Sequence, residues 1–250
     1  MSNDPVNDGA QGGTAPGQFY GHGLPYVDVQ SYPGRIIAIE GTDGVGRSTQ
    51  IRLLREWLEV KGYGVVETGW TRSDLMQPTI ELAKSSNTLN KLTFMLLYAC
   101  DFADRLEKEI IPALKAGFIV LADRYIYTAI ARAGVRGVDS QWIRRVYGFA
   151  IAPHLVFYLK IEVDALARRV LEAGGMEYWE SGMDMKAGDD IYDNFRNYQR
   201  QLLKEYAAMA DEFGFRVIEG RRSVTAIQEE LRRQIGAFLE ESAPVPVTGA

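Results

Sequence analysis

What this sequence has little of narrows it first. One cysteine, Cys100, stands in the whole chain, so no intrachain disulfide can brace it. Set in an apolar run, that thiol reads as a buried structural group rather than a nucleophile. The only two histidines, His22 and His154, lack any metal-ligand neighbour pattern and read as structural. No stretch is long and apolar enough to span a bilayer, and the start lacks the basic-then-apolar order of a secretion signal, so a cytoplasmic location is expected. Nor is one sign of charge in large excess. The net charge of −5 argues against a broad nucleic-acid or membrane surface, while leaving room for a locally basic pocket.

What is present is enough apolar residue, 46% of 250, to bury one substantial core, so one domain is expected over 35–240. Residues 1–34 are rich in Gly, Pro, Asn, Asp and Gln and read as a flexible tail. Within it, the part after Gln18 carries Phe19, Tyr20, Tyr26 and Tyr32 and is expected along the domain surface or against a partner subunit. Residues 241–250, with Pro244 and Pro246, read as a second flexible tail.

The informative stretch is Arg35-Ile36-Ile37-Ala38-Ile39-Glu40-Gly41-Thr42-Asp43-Gly44-Val45-Gly46-Arg47-Ser48-Thr49-Gln50. An apolar run meets three glycines and two hydroxyl residues, then Ile51, Leu54 and Leu58 at helical spacing: strand, tight loop, helix. Gly41, four residues, Gly46, a basic residue and Ser48 have P-loop spacing, in which backbone N–H groups and a helix N-terminus cradle phosphate and the hydroxyl reaches Mg²⁺. The usual Lys is Arg47, which keeps the charge but replaces a compact ammonium with a planar fork.

Further along, 64–67 reads as a second strand, and Arg72 in the following loop is a candidate phosphate or base contact beyond a strand's carboxyl end. Helical spacing runs over 90–116, with Pro112 marking a kink or break. Phe118-Ile119-Val120-Leu121-Ala122 reads as a strand buried on both faces, tipped by Asp123-Arg124-Tyr125, where a carboxylate can hold Mg²⁺ and an arginine can reach a transferring phosphate. A helix over 139–150, a strand over 154–161, a helix over 163–173, a helix over Ile191–Phe213 with an aromatic core stripe, a strand over 215–218 and a last helix through Leu239 complete the alternation. The glycine-rich, acidic segment 174–190 reads as a mobile lid. Such alternation implies an α/β fold of three layers, a P-loop NTPase fold with a parallel five-stranded sheet and helices on both faces.

These motifs resemble those of bacterial thymidylate kinases, P-loop nucleoside monophosphate kinases, over about Gly34 to Leu239. The P-loop with its Asp43, Leu96-Leu97-Tyr98-Ala99-Cys100-Asp101 followed by Ile110-Ile111-Pro112-Ala113-Leu114, Ala122-Asp123-Arg124-Tyr125, and Phe213-Gly214-Phe215-Arg216-Val217-Ile218 carry the match. The resemblance implies ATP as donor, Mg²⁺ held by Ser48 and Asp123, small nucleotides as partners, and a homodimer packed through helices including the one that carries Leu92. ATP would lie on Gly41, Asp43, Gly44, Val45, Gly46, Arg47, Ser48 and Thr49, with adenine near Glu219, Gly220 and Arg221. The catalytic set would be Arg47, Asp123 and Arg124, and the acceptor, by default dTMP, would meet Asp43, Arg72, Tyr98, Phe102, Arg105, Arg124 and Arg132.

Several positions depart from the pattern. Phe102 stands where the family's acceptor helix has arginine, with Arg105 a turn further on. Ala129 and Arg132 stand where a polar residue and a tyrosine select thymine and deoxyribose, Thr71-Arg72-Ser73-Asp74 replaces Thr-Arg-Glu-Pro, and the lid offers chiefly Lys186. Arg47 would then serve as both anchor and charge stabiliser. Two other readings stay open: a nucleotide-binding regulatory or scaffold protein that has lost efficient transfer, and a kinase for a different phosphate acceptor.

Overall fold

The computed structural model describes residues 14–25, 27–86, 90–172, 182–185, 188 and 190–241. Lys186, most of the lid segment 174–190, Tyr26 and both chain ends fall outside the described residues.

The strands are β1 (Arg35–Glu40), β2 (Val65–Gly69), β3 (Ile119–Asp123), β4 (Leu155–Lys160) and β5 (Arg216–Glu219). They form one parallel sheet in the order β2-β3-β1-β4-β5. Parallel strands need crossover helices, and those cover both faces. The helices are α1 (Arg47–Val60), α2 (Gln77–Ser86), α3 (Lys91–Arg105), α4 (Ile111–Lys115), α5 (Ile126–Val135), α6 (Ser140–Val146), α7 (Val163–Glu172), α8 (Ile191–Phe213) and α9 (Val224–Glu241). A π-helical turn, Leu106–Ile110, joins α3 to α4. The helical pattern over 90–116 therefore loosens in the turn just before Pro112, the residue that has no N–H to give.

Period-two alternation divides the core. Ile36 and Ala38 of β1 face a cluster with α3, α5 and α8, while Ile37 and Ile39 face the other side with α1, α7 and α9. The stripe of α8 joins this interior through Phe195, Tyr198, Leu202 and Tyr206. Cys100 corrects the expectation of a buried thiol. It is exposed, because α3 turns Leu92, Leu96 and Cys100 outward at spacings of four.

Residues 14–34, Tyr26 aside, lie against the domain. Gly17 N–H donates to Ala152 O at 2.8 Å, Ala152 N–H to Gln18 O at 2.7 Å and Tyr20 N–H to Ala150 O at 2.9 Å, with Phe19 bridged to Ile151. Tyr20 and Tyr127 join their hydroxyls beneath this strap. Under it His154 accepts from Ile36 N–H through Nδ1 at 3.1 Å.

Among the described residues no helix is long and apolar enough to cross a membrane.

Candidate active site

The site forms at the carboxyl edge of the two central strands. In register, Ile39 of β1 pairs with Asp123 of β3, and Asp123 pairs with Gly69 of β2, so the P-loop, the Asp-Arg-Tyr turn and the β2–α2 loop leave the sheet side by side. The chain bends at Gly41 and Gly46, with φ of 145° and 102°, conformations that a Cβ opposes. A Cβ on Gly41 would stand 2.9 Å from Leu159 O. Helix α1 starts at Arg47 with no side-chain cap, which leaves its first N–H groups and dipole facing the loop as a seat for an anion.

Arg47 is turned back onto that loop. Its Nε donates to Asp123 Oδ1 at 2.9 Å, and Nη1 donates to Gly41 O at 2.5 Å and to Thr42 O. Only Nη2 faces a looser partner, Asp43 Oδ1 at 3.6 Å. Thus the arginine that replaces the usual lysine ties the P-loop to β3. Ser48 Oγ donates to the other oxygen of Asp123 at 2.7 Å. Among the described residues no three His, Cys, Asp or Glu side chains converge as a metal cage. The Ser48–Asp123 hydroxyl–carboxylate pair suits a hard cation that keeps water and substrate phosphates as its other ligands.

Asp43 collects the remaining cations. Arg124 Nη2 pairs with Oδ1, and Arg132 Nη2 donates to Oδ2 at 2.7 Å. Arg124 is a non-glycine residue at φ 69°, a strained conformation that its surroundings must impose. Two contacts do so: Arg124 N–H donates to Ile39 O at 3.1 Å, and the next amide, Tyr125 N–H, donates to Glu40 Oε1 at 2.7 Å. Glu40 is fully buried, its other oxygen accepting from Thr128 Oγ1 at 2.7 Å and Tyr206 Oη at 3.3 Å. Burial raises its pKa above the ordinary carboxylate value against these hydrogen bonds and the nearby Arg47 and Arg124.

Beside the β2–α2 loop, Arg72 is half-exposed with Nη1 4.0 Å from Glu67, and Tyr98 packs on Trp70 with ring centres 4.7 Å apart. Phe102 and Arg105 are both buried. Phe102 is a core residue stacked edge-on against Tyr125 at 5.0 Å. Arg105 is buried and engaged by Asp101 at 3.0 Å and Thr68 Oγ1 at 2.8 Å. Asp101 in turn accepts from Thr71 N–H at 3.2 Å and Ser73 N–H at 3.0 Å, fixing the loop that carries Arg72. Arg132 lies with its guanidinium 5.6 Å from the centre of the Trp70 ring. Ala129 is buried, and the polar side chain of that turn is its neighbour Thr128.

The loop at Glu219, Gly220 and Arg221 lies beside the P-loop, since a Cβ on Gly220 would stand 2.9 Å from Val45 Cγ2. Val45 is buried, Ser48 and Thr49 are exposed at the start of α1, and the exposed Arg221 pairs with Glu162 at 3.2 Å.

Some residues escaped the sequence reading. Glu40 appeared there only as the end of a strand, although a carboxylate closing an apolar run is a visible anomaly. Arg136 lies one helical turn beyond Arg132 and grips Asp184 with two bonds, at 2.8 and 3.0 Å. Arg169 of α7 donates to Val45 O at 3.3 Å. Their partners are distant in sequence, so no local pattern announces them.

A glycine-bent loop running into a helix N-terminus, beside a strand-tip aspartate on a parallel sheet, defines a P-loop phosphoryl-transfer protein. The thymidylate kinase family model matches residues 39–230. Probable thymidylate kinase 2 of Saccharolobus solfataricus is 37% identical over 211 residues, covering 84% of this chain and 99% of that protein. The probable thymidylate kinase of Pyrococcus horikoshii is 32% identical over 205 residues, 79% of this chain and 94% of its own. The thymidylate kinase of Desulfotalea psychrophila is 36% identical over 146 residues, 58% of this chain and 72% of its own. The chain belongs to the thymidylate kinase family.

Proposed function

We propose that the protein transfers the γ-phosphoryl group of ATP to dTMP, giving ADP and dTDP. An oxygen of the acceptor's phosphate attacks the γ-phosphorus, the bond to the β,γ-bridging oxygen breaks, and its electron pair leaves on ADP. The observation that carries this reading is the convergence of Arg47, Ser48, Asp123, Arg124 and Asp43 at one edge of the sheet, beside an uncapped helix N-terminus. Phosphoryl transfer asks of a protein chiefly such positioning and charge.

In this reading Gly41 through Thr49 cradle the donor's phosphates, and Arg221 lies near its adenine. Arg47 holds the cradle closed and adds positive charge. Arg124 and Arg72 meet the acceptor's phosphate, Asp43 its sugar and Tyr98 its base. Arg105, through its pair with Asp101, supports that pocket from the interior, with Phe102 packed against its guanidinium. Ser48 and Asp123 would hold Mg²⁺, which would supply positive charge against the donor's phosphates.

A homodimer fits the outward row of Leu92, Leu96 and Cys100 on α3, with exposed Leu82 on the adjoining α2, an apolar strip that a second copy would cover.

The test is ADP formation from ATP and Mg²⁺ across a panel of nucleoside monophosphates. Saturable turnover fastest with dTMP is expected, and absence of turnover with every acceptor would sink the proposal.

A further inference from the structure

Arg132 reaches from α5 toward the P-loop. There it shares Asp43 with Arg124, one guanidinium on each carboxylate oxygen. Two arginines converging on a single carboxylate make the geometry of a two-arginine anion site, with Asp43 in the anion's place. Arg132 is also held firmly. Its guanidinium lies over the Trp70 ring at 5.6 Å, and its carbonyl accepts from Arg136 Nη1 at 3.3 Å. It is nearly buried, at 11% side-chain exposure, so its charge is poorly screened by water. Arg47, by contrast, directs Nε and Nη1 at Asp123 and at two carbonyls of its own loop. Within this cluster three guanidiniums converge on Asp43 and Asp123.

We propose that Arg132 is a phosphate-binding residue of the acceptor site, working with Arg124, and that Asp43 is their exchangeable counter-ion. With no nucleotide bound, Asp43 pairs with both arginines and keeps them converged. When the acceptor binds, its phosphate takes Asp43's place between them, and the freed carboxylate turns to the acceptor's sugar hydroxyl. The proposal rests on the monophosphate kinase reading above and gives a concrete function to a residue that departs from the family's pattern. Two guanidiniums converging on one anion recognise phosphate far better than a neutral hydroxyl.

The test compares dTMP with thymidine, its counterpart without phosphate, by calorimetric titration of wild type, Arg132→Gln and Arg132→Lys. The expected result is a 10–100-fold weaker dTMP affinity in Arg132→Gln, with thymidine affinity within twofold of wild type and Arg132→Lys between the two. Equal losses for dTMP and thymidine, or no loss for either, overturn the proposal. A second arm measures inorganic phosphate binding to Asp43→Asn. Removing the internal anion should tighten phosphate about tenfold, and unchanged phosphate affinity overturns the exchange. If Arg132→Gln does not fold, Arg132→Lys and Asp43→Asn still decide. If wild type phosphorylates another monophosphate instead of dTMP, that monophosphate and its nucleoside replace the pair, so failure of the substrate assignment is read separately.

Discussion

At the residue scale, Arg47 braces the P-loop from within. Removing its guanidinium strands the carbonyls of Gly41 and Thr42 and one oxygen of Asp123 at a site where the side chain is 8% exposed. Arg47→Met is therefore expected to lower unfolding free energy by about 2 kcal/mol, measured by urea denaturation without nucleotide, and to reduce turnover as well. A normal urea midpoint would mean that the guanidinium does not brace the loop. His154 gives a second residue-level expectation, through pH. Burial and the neighbouring Arg35 hold its pKa at about 4 rather than 6.5, while Nδ1 accepts from Ile36 N–H. The unfolded chain takes up its proton near 6.5 and the folded chain resists until about 4. The stabilisation is thus fully present above pH 6.5 and is lost as pH falls through that window, amounting to roughly 3 kcal/mol at its lower end. His154→Asn offers Ile36 an acceptor that does not titrate. The stability difference between wild type and variant should consequently change sharply between pH 7 and pH 4.5. A pH-independent difference would contradict the buried neutral imidazole.

At the element scale, the site depends on loops held from behind. The loop after β2 carries Arg72 and takes its shape from Asp101, which accepts two of its amides and pairs with Arg105 inside the core. Asp101→Ala leaves that guanidinium buried without its main partner and should cost about 3–5 kcal/mol. In protein that remains folded at low temperature, the acceptor KM should rise more than the ATP KM. Equal effects on both would argue against a loop-specific role. This second layer is where sequence legibility ends. β1, the P-loop and α1 are contiguous, and their apolar run, glycines and helical spacing announce strand, cradle and helix in turn. β3 with its Asp-Arg-Tyr tip is legible for the same reason. Helix α5 was hidden because Ile126 through Ala131 are all buried, so the segment has no polar face to reveal a helical period. The Glu40–Thr128–Tyr206 and Asp101–Arg105–Thr68 networks join residues far apart in the chain, so only the folded topology brings them together. Cys100 misled because the apolar run around it serves two surfaces, one of which faces outward.

At the scale of the whole molecule, α3 joins the site to the outside. Its inner face presents Tyr98, Asp101 and Arg105 to β2 and the loop after it, and its outer face presents Leu92, Leu96 and Cys100. If that outer strip is the contact between two copies, Leu96→Glu should convert a dimer to a monomer in sedimentation velocity. A variant that sediments as wild type does would remove α3 from the interface. Phosphoryl transfer itself is tested most directly with γ-labelled ATP and dTMP under single-turnover conditions. Transfer predicts that the label moves into the terminal phosphate of dTDP as ADP appears. Label released as inorganic phosphate, or retained in ATP with dTMP bound, would contradict it.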